Sequence, residues 1–485
     1  DEETFSKITE STYKYEAGDA TKVAGSSYAS LRGFVGFNTY YIQEICTDET
    51  VQPANQAGWD DGGVFRRMHL HSWNTNQAHV NEYWNCCYTG ILLANRAIEI
   101  ISEDDFPISS TENKASLIAE TRALRAYYYW LVMDNWGDAP LVSASTSEQP
   151  EKTSRVEIYK FVVQELTECM NDLSEQKDAS NYGRFNKWGA KALLANVYLN
   201  AEVYTQTSKY NECIKACKKV IEQGYQLESD YYKLFNADND KRTNEIIFTL
   251  PVDATNLVSW GSSTYIVCGA VSNTSEKQIP EDYGVKSGWG MFRVRGEIPQ
   301  LFSGNEEADQ RYMFFTDGQT RDLEKIDDQS NGYFVEKWTN LTDAGQTASN
   351  TADGGVNTDY PLFRLADVYL MMAEAVVRGG TEATLANVLP YINELQERAF
   401  GDNTHNKSES EINELFIINE RARELYWEGY RRTDLIRFNQ FTTNSYVWQW
   451  KGGVKDGKAV ESKYNIYPIP ATELTANPNL YNENY

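Results

Sequence analysis

Two groups of residues carry the chemistry this sequence is best equipped for. The first runs through Asp48, Trp59, Asp60, Asp61, Trp73 and Asn76, and the second holds Trp260, Tyr265 and Trp289 among Gly and Ser. A pyranose ring offers apolar faces and a rim of hydroxyls. Aromatic faces beside Asn, Asp or Arg side chains match both features. The competing reading is that these rings pin loops onto a scaffold, and for any single ring the two weigh equally. A helical stripe does not account for rings in Gly-rich stretches, so they are expected on loops.

Other chemistries leave weaker signatures. Glycoside hydrolysis needs two carboxylates placed across the scissile bond, but with 70 Asp and Glu in the chain a candidate pair carries no information. Asp60-Asp61 ahead of Gly62-Gly63 reads as a turn. No Gly-x-Ser-x-Gly elbow and no Gly-rich phosphate loop occurs, which lowers the weight of an enzyme. His69, His71 and His79 lack the spacing of a helical zinc motif, and a structural role fits them better. Asn236-Ala237-Asp238-Asn239-Asp240 is oxygen-rich enough for calcium but lacks EF-hand spacing. No cofactor is expected, with a structural calcium ion as the only candidate.

Composition narrows the ligand class. The chain has 485 residues, a formal net charge of −25 and 13% aromatic residues, with 12 Trp and 32 Tyr. Nucleic acid is bound by neutralising phosphates, and an acidic chain is poorly suited to that. The same charge disfavours direct docking on anionic lipid. Abundant rings suit a neutral ligand, although most of the Tyr are expected to fill the core. Seven Cys, an odd and sparse set, predict mostly free thiols, with Cys213 and Cys217 on the apolar face of a helix. No apolar run reaches the ~18 residues of a membrane span. Asp1-Glu2-Glu3 is not a signal peptide, so a targeting segment is either not used or already removed.

The elements that must hold these loops are helices. Apolar positions at a period of 3.6 predict helices over 84–101, 117–132, 186–204, 209–223 and 365–378, and 389–400, 411–427 and 433–438 are candidates for further helical pairs. Gly224 is a natural C-cap for the fourth. The helices fall into pairs of tetratricopeptide type with irregular spacing. Between them lie the long irregular stretches 51–80, 251–292, 339–360 and 442–466, with only short strand signals such as 245–250. Loops this long are uncommon unless functional.

Four stretches in order point to one family. They are ETRALRAYYYW at 120–130 closed by WGDAPL at 136–141, RLADVYLMMAEA at 364–375, ERARELYWEGYRRTDLIRF at 420–438, and the tail YPIP at 467–470 with Glu473-Leu474 and NPNL at 477–480. Together they resemble the SusD/RagB family of outer-membrane nutrient-binding lipoproteins. The resemblance implies a mainly α fold of tetratricopeptide-like pairs, about 84–224 and 361–441. A loop-rich lobe, about 30–82, 225–360 and 442–485, would pack on them within a single unit. It further implies a non-catalytic, surface-exposed glycan binder at the cell outer membrane and a SusC-type TonB-dependent transporter as partner. The family's lipid-bearing Cys is absent from this sequence, as expected of a trimmed mature chain.

Within the family the chain looks most like the starch-binding founder. That likeness implies an α-glucan ligand, a stacking arc of Trp73, Tyr265 and Trp289, and hydroxyl contacts from Asp48 and Asn76. The founder's pattern also expects an Arg near 54–58, where this chain reads Ala-Asn-Gln-Ala-Gly. Asn55, Gln56 or Arg66 is then the substitute, or the glycan differs. The alternatives are a SusD-like binder of another glycan or a peptide, a glycoside hydrolase, and a helical adaptor whose sole ligand is the transporter.

Overall fold

The described part of the chain holds sixteen α-helices and six short strands, with short 3-10 turns and one π-helical turn at Tyr41–Ile45 between them. The computed structural model describes residues 13–32, 40–52, 62–146, 148–256, 262–348 and 355–485. The N-terminal helices are α1 (Asp19–Ser26), α2 (Ala29–Arg32), α3 (Val64–Leu70), α4 (Ala78–Ser102), α5 (Lys114–Trp136) and α6 (Arg155–Cys169). The middle set is α7 (Lys187–Leu199), α8 (Ala201–Thr205), α9 (Tyr210–Ile221), α10 (Ser262–Gly269) and α11 (Glu297–Gln300). The last are α12 (Leu365–Val377), α13 (Leu385–Phe400), α14 (Glu414–Leu425), α15 (Arg431–Arg437) and α16 (Ala471–Ala476).

Packing follows the chain in a run of neighbours. Helix α4 lies on α5 and α5 on α6, while α7 lies on α9, α9 on α12, and α12 on α13 and α14. Helix α5 is buried almost all round from Leu117 to Trp136, as a helix without a polar face must be. Its run Tyr127-Tyr128-Tyr129-Trp130 therefore points to every side. Tyr128 donates to the Ser27 carbonyl at 2.7 Å, Tyr129 to Val142 at 2.8 Å, and the Trp130 indole to the Tyr204 hydroxyl at 3.2 Å. Gly90 lets α4 approach: a Cβ there would sit 2.4 Å from the Tyr128 ring. Much of the aromatic content thus fills the core, as expected.

Predicted helices and observed ones differ mainly at their ends. The segment expected as one helix over 186–204 breaks at Asn200, whose side-chain amide turns back to the Asn196 carbonyl at 2.9 Å. Helix α13 starts at Leu385 rather than 389, because a capping box of Thr384 and Asn387 closes its first turn. Gly224 adopts φ +76° just beyond α9. All seven Cys are free thiols, six of them buried.

The loop-rich stretches hold more structure than their composition suggests. Residues 51–80 contain α3, and 251–292 contain α10, which is buried along its whole length. Tyr265 therefore lies on a helix, contrary to the expectation of a loop, because eight residues between Gly and Ser are too few to show a period. The principal sheet pairs β3 (Ile246–Leu250) with β6 (Tyr360–Arg364) antiparallel, and both strands are fully buried. Four other strands form two-residue pairs, Ala139–Pro140 with Lys152–Thr153 and Phe314–Phe315 with Phe334–Val335. One hydrophobic cluster runs from Leu31 to Leu480 through helices and loops alike.

A buried ion network fastens the loops to the helices. Glu424 of α14 accepts from Arg364 at 2.6 Å, from Arg311 at 3.2 Å and from Arg398. Arg364 also reaches Glu245 at 3.0 Å and Glu428 at 2.7 Å. Lys337 holds Glu428 at 2.6 Å. Arg311 adds Glu420 at 2.6 Å and Asp309 at 2.8 Å. These side chains come from segments between 245 and 428, so the network joins parts of the chain that are remote in sequence.

Candidate functional site

Each of the five residues expected to touch ligand has a definite place. Asp48 is fully buried. Its two oxygens accept from Arg431 Nε at 2.8 Å and Nη2 at 2.6 Å, and the second also accepts from the Tyr446 hydroxyl at 2.7 Å. A bidentate Arg–carboxylate pair of this kind fixes both groups. Asp48 thus ties the N-terminal segment to α15.

Trp73 is 2% exposed. Its indole N–H donates to the Tyr485 hydroxyl at 3.1 Å, and its ring packs at 4.9 Å against both Tyr464 and Tyr467. A cleft of about 470 Å³ opens beyond Tyr485 between Trp136, Arg155 and Lys463, and Trp73 does not line it. Tyr265 is fully buried and donates to the Gln52 side chain at 3.0 Å. It also shares a hydrogen bond with the Tyr41 hydroxyl. Trp289 is half-buried, its ring edge-on to Tyr265 at 6.3 Å. Asn76 is exposed just ahead of α4.

The expected arc of three rings is thus not an open surface. Tyr265 and Trp289 do come together, but no ring contact joins Trp73 to either. Trp73 and Tyr265 were expected as stacking faces; in this structure both are buried.

What the structure adds is a ring run that the sequence did not reveal. Tyr41 stacks on His79 with centroids 3.8 Å apart and planes 3° apart, and on Phe65 at 5.0 Å. Tyr41 in turn meets Tyr265 at 5.9 Å, and Tyr265 meets Trp289. The run His79–Tyr41–Tyr265–Trp289 has partly open ends, His79 and Trp289, and a buried middle. The signal available was the doublet Tyr40-Tyr41 and His79 in the first turn of α4. Only the fold puts them side by side. Arg66 on α3 is exposed beside Phe65. Asn55, Gln56, Trp59, Asp60, Asp61 and Trp260 lie outside the described residues.

The histidines do separate jobs. His69 is buried and its Nε2 accepts the Gln52 N–H at 2.9 Å. Burial, reinforced by Arg295, holds it well below the usual histidine range, and burial holds His71 down at about 3. Around 236–240, Asp238 pairs with Lys241 at 2.8 Å and Asp343 with Arg242. Among the described residues no group of three His, Cys, Asp or Glu is placed to hold a metal.

One carboxyl pair stands out electrostatically. Glu44 and Glu49 are buried behind Asp48; Glu44 accepts the Gly429 N–H at 2.6 Å and Glu49 the Trp427 N–H at 2.9 Å. Burial pushes Glu44 up to about 7. Burial and the charge of Glu44 push Glu49 up as well. The two are closed off from solvent, so they do not flank an open cleft.

A sequence model of the SusD family matches residues 192–485, and one described as "Starch-binding associating with outer membrane" matches 27–199. The chain is also 34% identical over 415 residues to the starch-binding protein SusD of Bacteroides thetaiotaomicron, covering 76% of this chain and 72% of that one. The chain belongs to the SusD family. A SusD-like protein of Bacteroides ovatus is 24% identical over 474 residues, covering 88% of this chain and 83% of its own. Solved SusD-like structures share the fold. A laminarin-binding SusD-like protein superposes with a TM-score of 0.77 at 22% identity, covering 97% of this chain and all of the other. Surface glycan-binding protein A from Bacteroides thetaiotaomicron, in complex with laminarihexaose, gives 0.75 at 20% identity, with 96% of this chain and 99% of the other covered. No helix among the described residues of this SusD-family chain is long and apolar enough to cross a membrane.

Proposed function

We propose that this SusD-family chain is a non-catalytic binder that captures starch or maltooligosaccharide at the outer face of the outer membrane. It would then pass the glycan to a SusC-type TonB-dependent transporter. The observation that carries the ligand is the 34% identity over 415 residues to a starch-binding protein. The partner and the lipid-anchored location rest on family membership.

The described surface suggests how the glycan is held. Trp289 is the half-exposed ring at the end of the run offered as the sugar contact, backed by the buried Tyr265 and Tyr41. Asn76 and Arg66 are exposed donors and acceptors near the other end of the ring run. Arg66 takes the part of the Arg that the founder's pattern expects near 54–58. Asp48 and Trp73 then act as positioning residues that hold the loop from inside.

Native affinity gels with amylopectin, laminarin and xylan test the ligand. Retardation by amylopectin is expected. Retardation by laminarin or xylan without amylopectin would replace starch with another glycan. Release of reducing ends on long incubation with the bound glycan would overturn the non-catalytic reading.

A further inference from the structure

A second cleft lies away from the ring run. It has a volume of about 410 Å³ and is lined in part by Tyr312, Tyr333, Thr320, Arg321, Asp322 and Glu306. Two features distinguish it from a gap between surface side chains. Both tyrosines are half-buried, so each ring is fixed by the fold yet open on one side. Tyr312 is braced edge-on by Phe302 at 5.7 Å and by Phe314 at 4.9 Å. Tyr333 is fixed by its backbone, whose carbonyl accepts the Val294 N–H at 2.9 Å. Neither phenol oxygen bonds another described side chain or backbone group, so both point their polar ends at solvent. Fixed aromatic groups with exposed hydroxyls cost little ordering on binding.

The polar rim is preorganised too. Arg321 and Asp322 form a two-point pair, Nε to Oδ1 at 2.9 Å and Nη2 to Oδ2 at 3.1 Å, and Arg321 Nη1 donates to Gln300. That uses three of the five N–H donors of the guanidinium and leaves two. The pair presents donors and acceptors in one plane, and Thr320 and Glu306 are exposed beside it. The carboxylates outnumber the single Arg, which disfavours an anionic ligand, and the two rings with their hydrogen-bonding rim suit one with apolar faces and hydroxyls.

We infer that this cleft is a second contact for a neutral polysaccharide, engaging a different stretch of the same glycan chain as the Trp289 site. This rests on the glycan-capture reading. Tyr312 and Tyr333 supply the apolar faces; Arg321, Asp322 and Glu306 take the hydroxyls. The two places are close along the chain. Trp289 is five residues from Val294, which bridges Tyr333, so the backbone allows a span of at most about 25 Å. A glycan long enough to cover that span can occupy both places at once. Two linked weak contacts raise affinity for a polymer well above affinity for either site alone.

The test uses the full chain, the double variant Tyr312→Ala/Tyr333→Ala, and Trp289→Ala. The double variant is expected to bind maltotriose in calorimetry within twofold of wild type, yet to lose at least fivefold in amylopectin retardation. Hydroxyl-radical footprinting of the unmodified chain gives a readout that needs no variant. Amylopectin is expected to protect Tyr312 and Tyr333 at least twofold, and maltotriose much less. Retardation equal to wild type, or no protection of the two tyrosines by a polysaccharide that protects Trp289, overturns the inference while the capture reading stands. If the wild-type chain is retarded by no glycan in the panel, both fall together.

Discussion

At the scale of single residues, ring type alone did not decide role. Trp73 and Trp289 are the same side chain in comparable sequence surroundings, and the fold gives them different work. Trp289→Ala should weaken amylopectin binding by about 1–3 kcal/mol, the usual worth of one stacking ring, which calorimetry would read as roughly 5- to 150-fold. Its melting temperature should move less than that of Trp73→Ala, because Trp289 is only half-buried. Trp73→Ala should do the reverse: a buried ring of this size costs about 3–5 kcal/mol of stability when truncated. Equal loss of binding for both variants at unchanged stability would restore Trp73 to the binding surface. Asp48 shows the same principle, because its carboxylate is already occupied by Arg431 and Tyr446.

At the scale of elements, the motif of 420–438 is the hub of the scaffold. Helix α14 was anticipated as half of a helical pair over 411–438. Its ionic role was not, because Glu424 finds Arg311, Arg364 and Arg398, which no local spacing predicts. Glu424→Gln keeps the shape but leaves three guanidinium groups short of their counter-charge. Breaking a buried pair in this way costs about 3–5 kcal/mol, and urea unfolding should show it as a lower midpoint. An unchanged midpoint would mean the network adds nothing net. Glu420, held down at about 2 mainly by Arg311 against the cost of burial, contributes stability that is present at neutral pH and lost as pH falls toward 2.

The Glu44–Glu49 pair has the opposite sign. Both are raised, so the fold favours their protonated forms. The stability they contribute is full below about pH 4, where unfolded carboxyls are protonated too, and is lost as pH rises through about 7. Glu44→Gln should therefore be more stable than wild type at pH 8, by on the order of 1 kcal/mol, with the gap closing at pH 5. A gap that does not change between pH 5 and pH 8 would show that Glu44 stays ionised in the fold.

At the scale of the whole molecule, charge and ring content act together. A net charge of −25 repels anionic polymers, and the candidate contacts are aromatic faces and hydrogen-bonding groups. Binding to a neutral glucan should therefore change by less than about twofold between 0.05 and 0.5 M salt, since screening acts on charge–charge attraction. A steep fall with salt in affinity gels would point to an acidic ligand instead.

The sequence by itself determined the class of the molecule. The 3.6-residue period located several of the long helices, the ordered motifs identified the family, and composition disfavoured polyanions. These properties are local or additive, so a one-dimensional reading captures them. Only the tertiary structure decided which rings face solvent. Tyr265 is on a short buried helix, Trp73 is closed in by Tyr464, Tyr467 and Tyr485, and Tyr41 and His79 meet from segments 38 residues apart. Burial depends on what the rest of the chain brings to each side chain. Spacing within one loop cannot encode it.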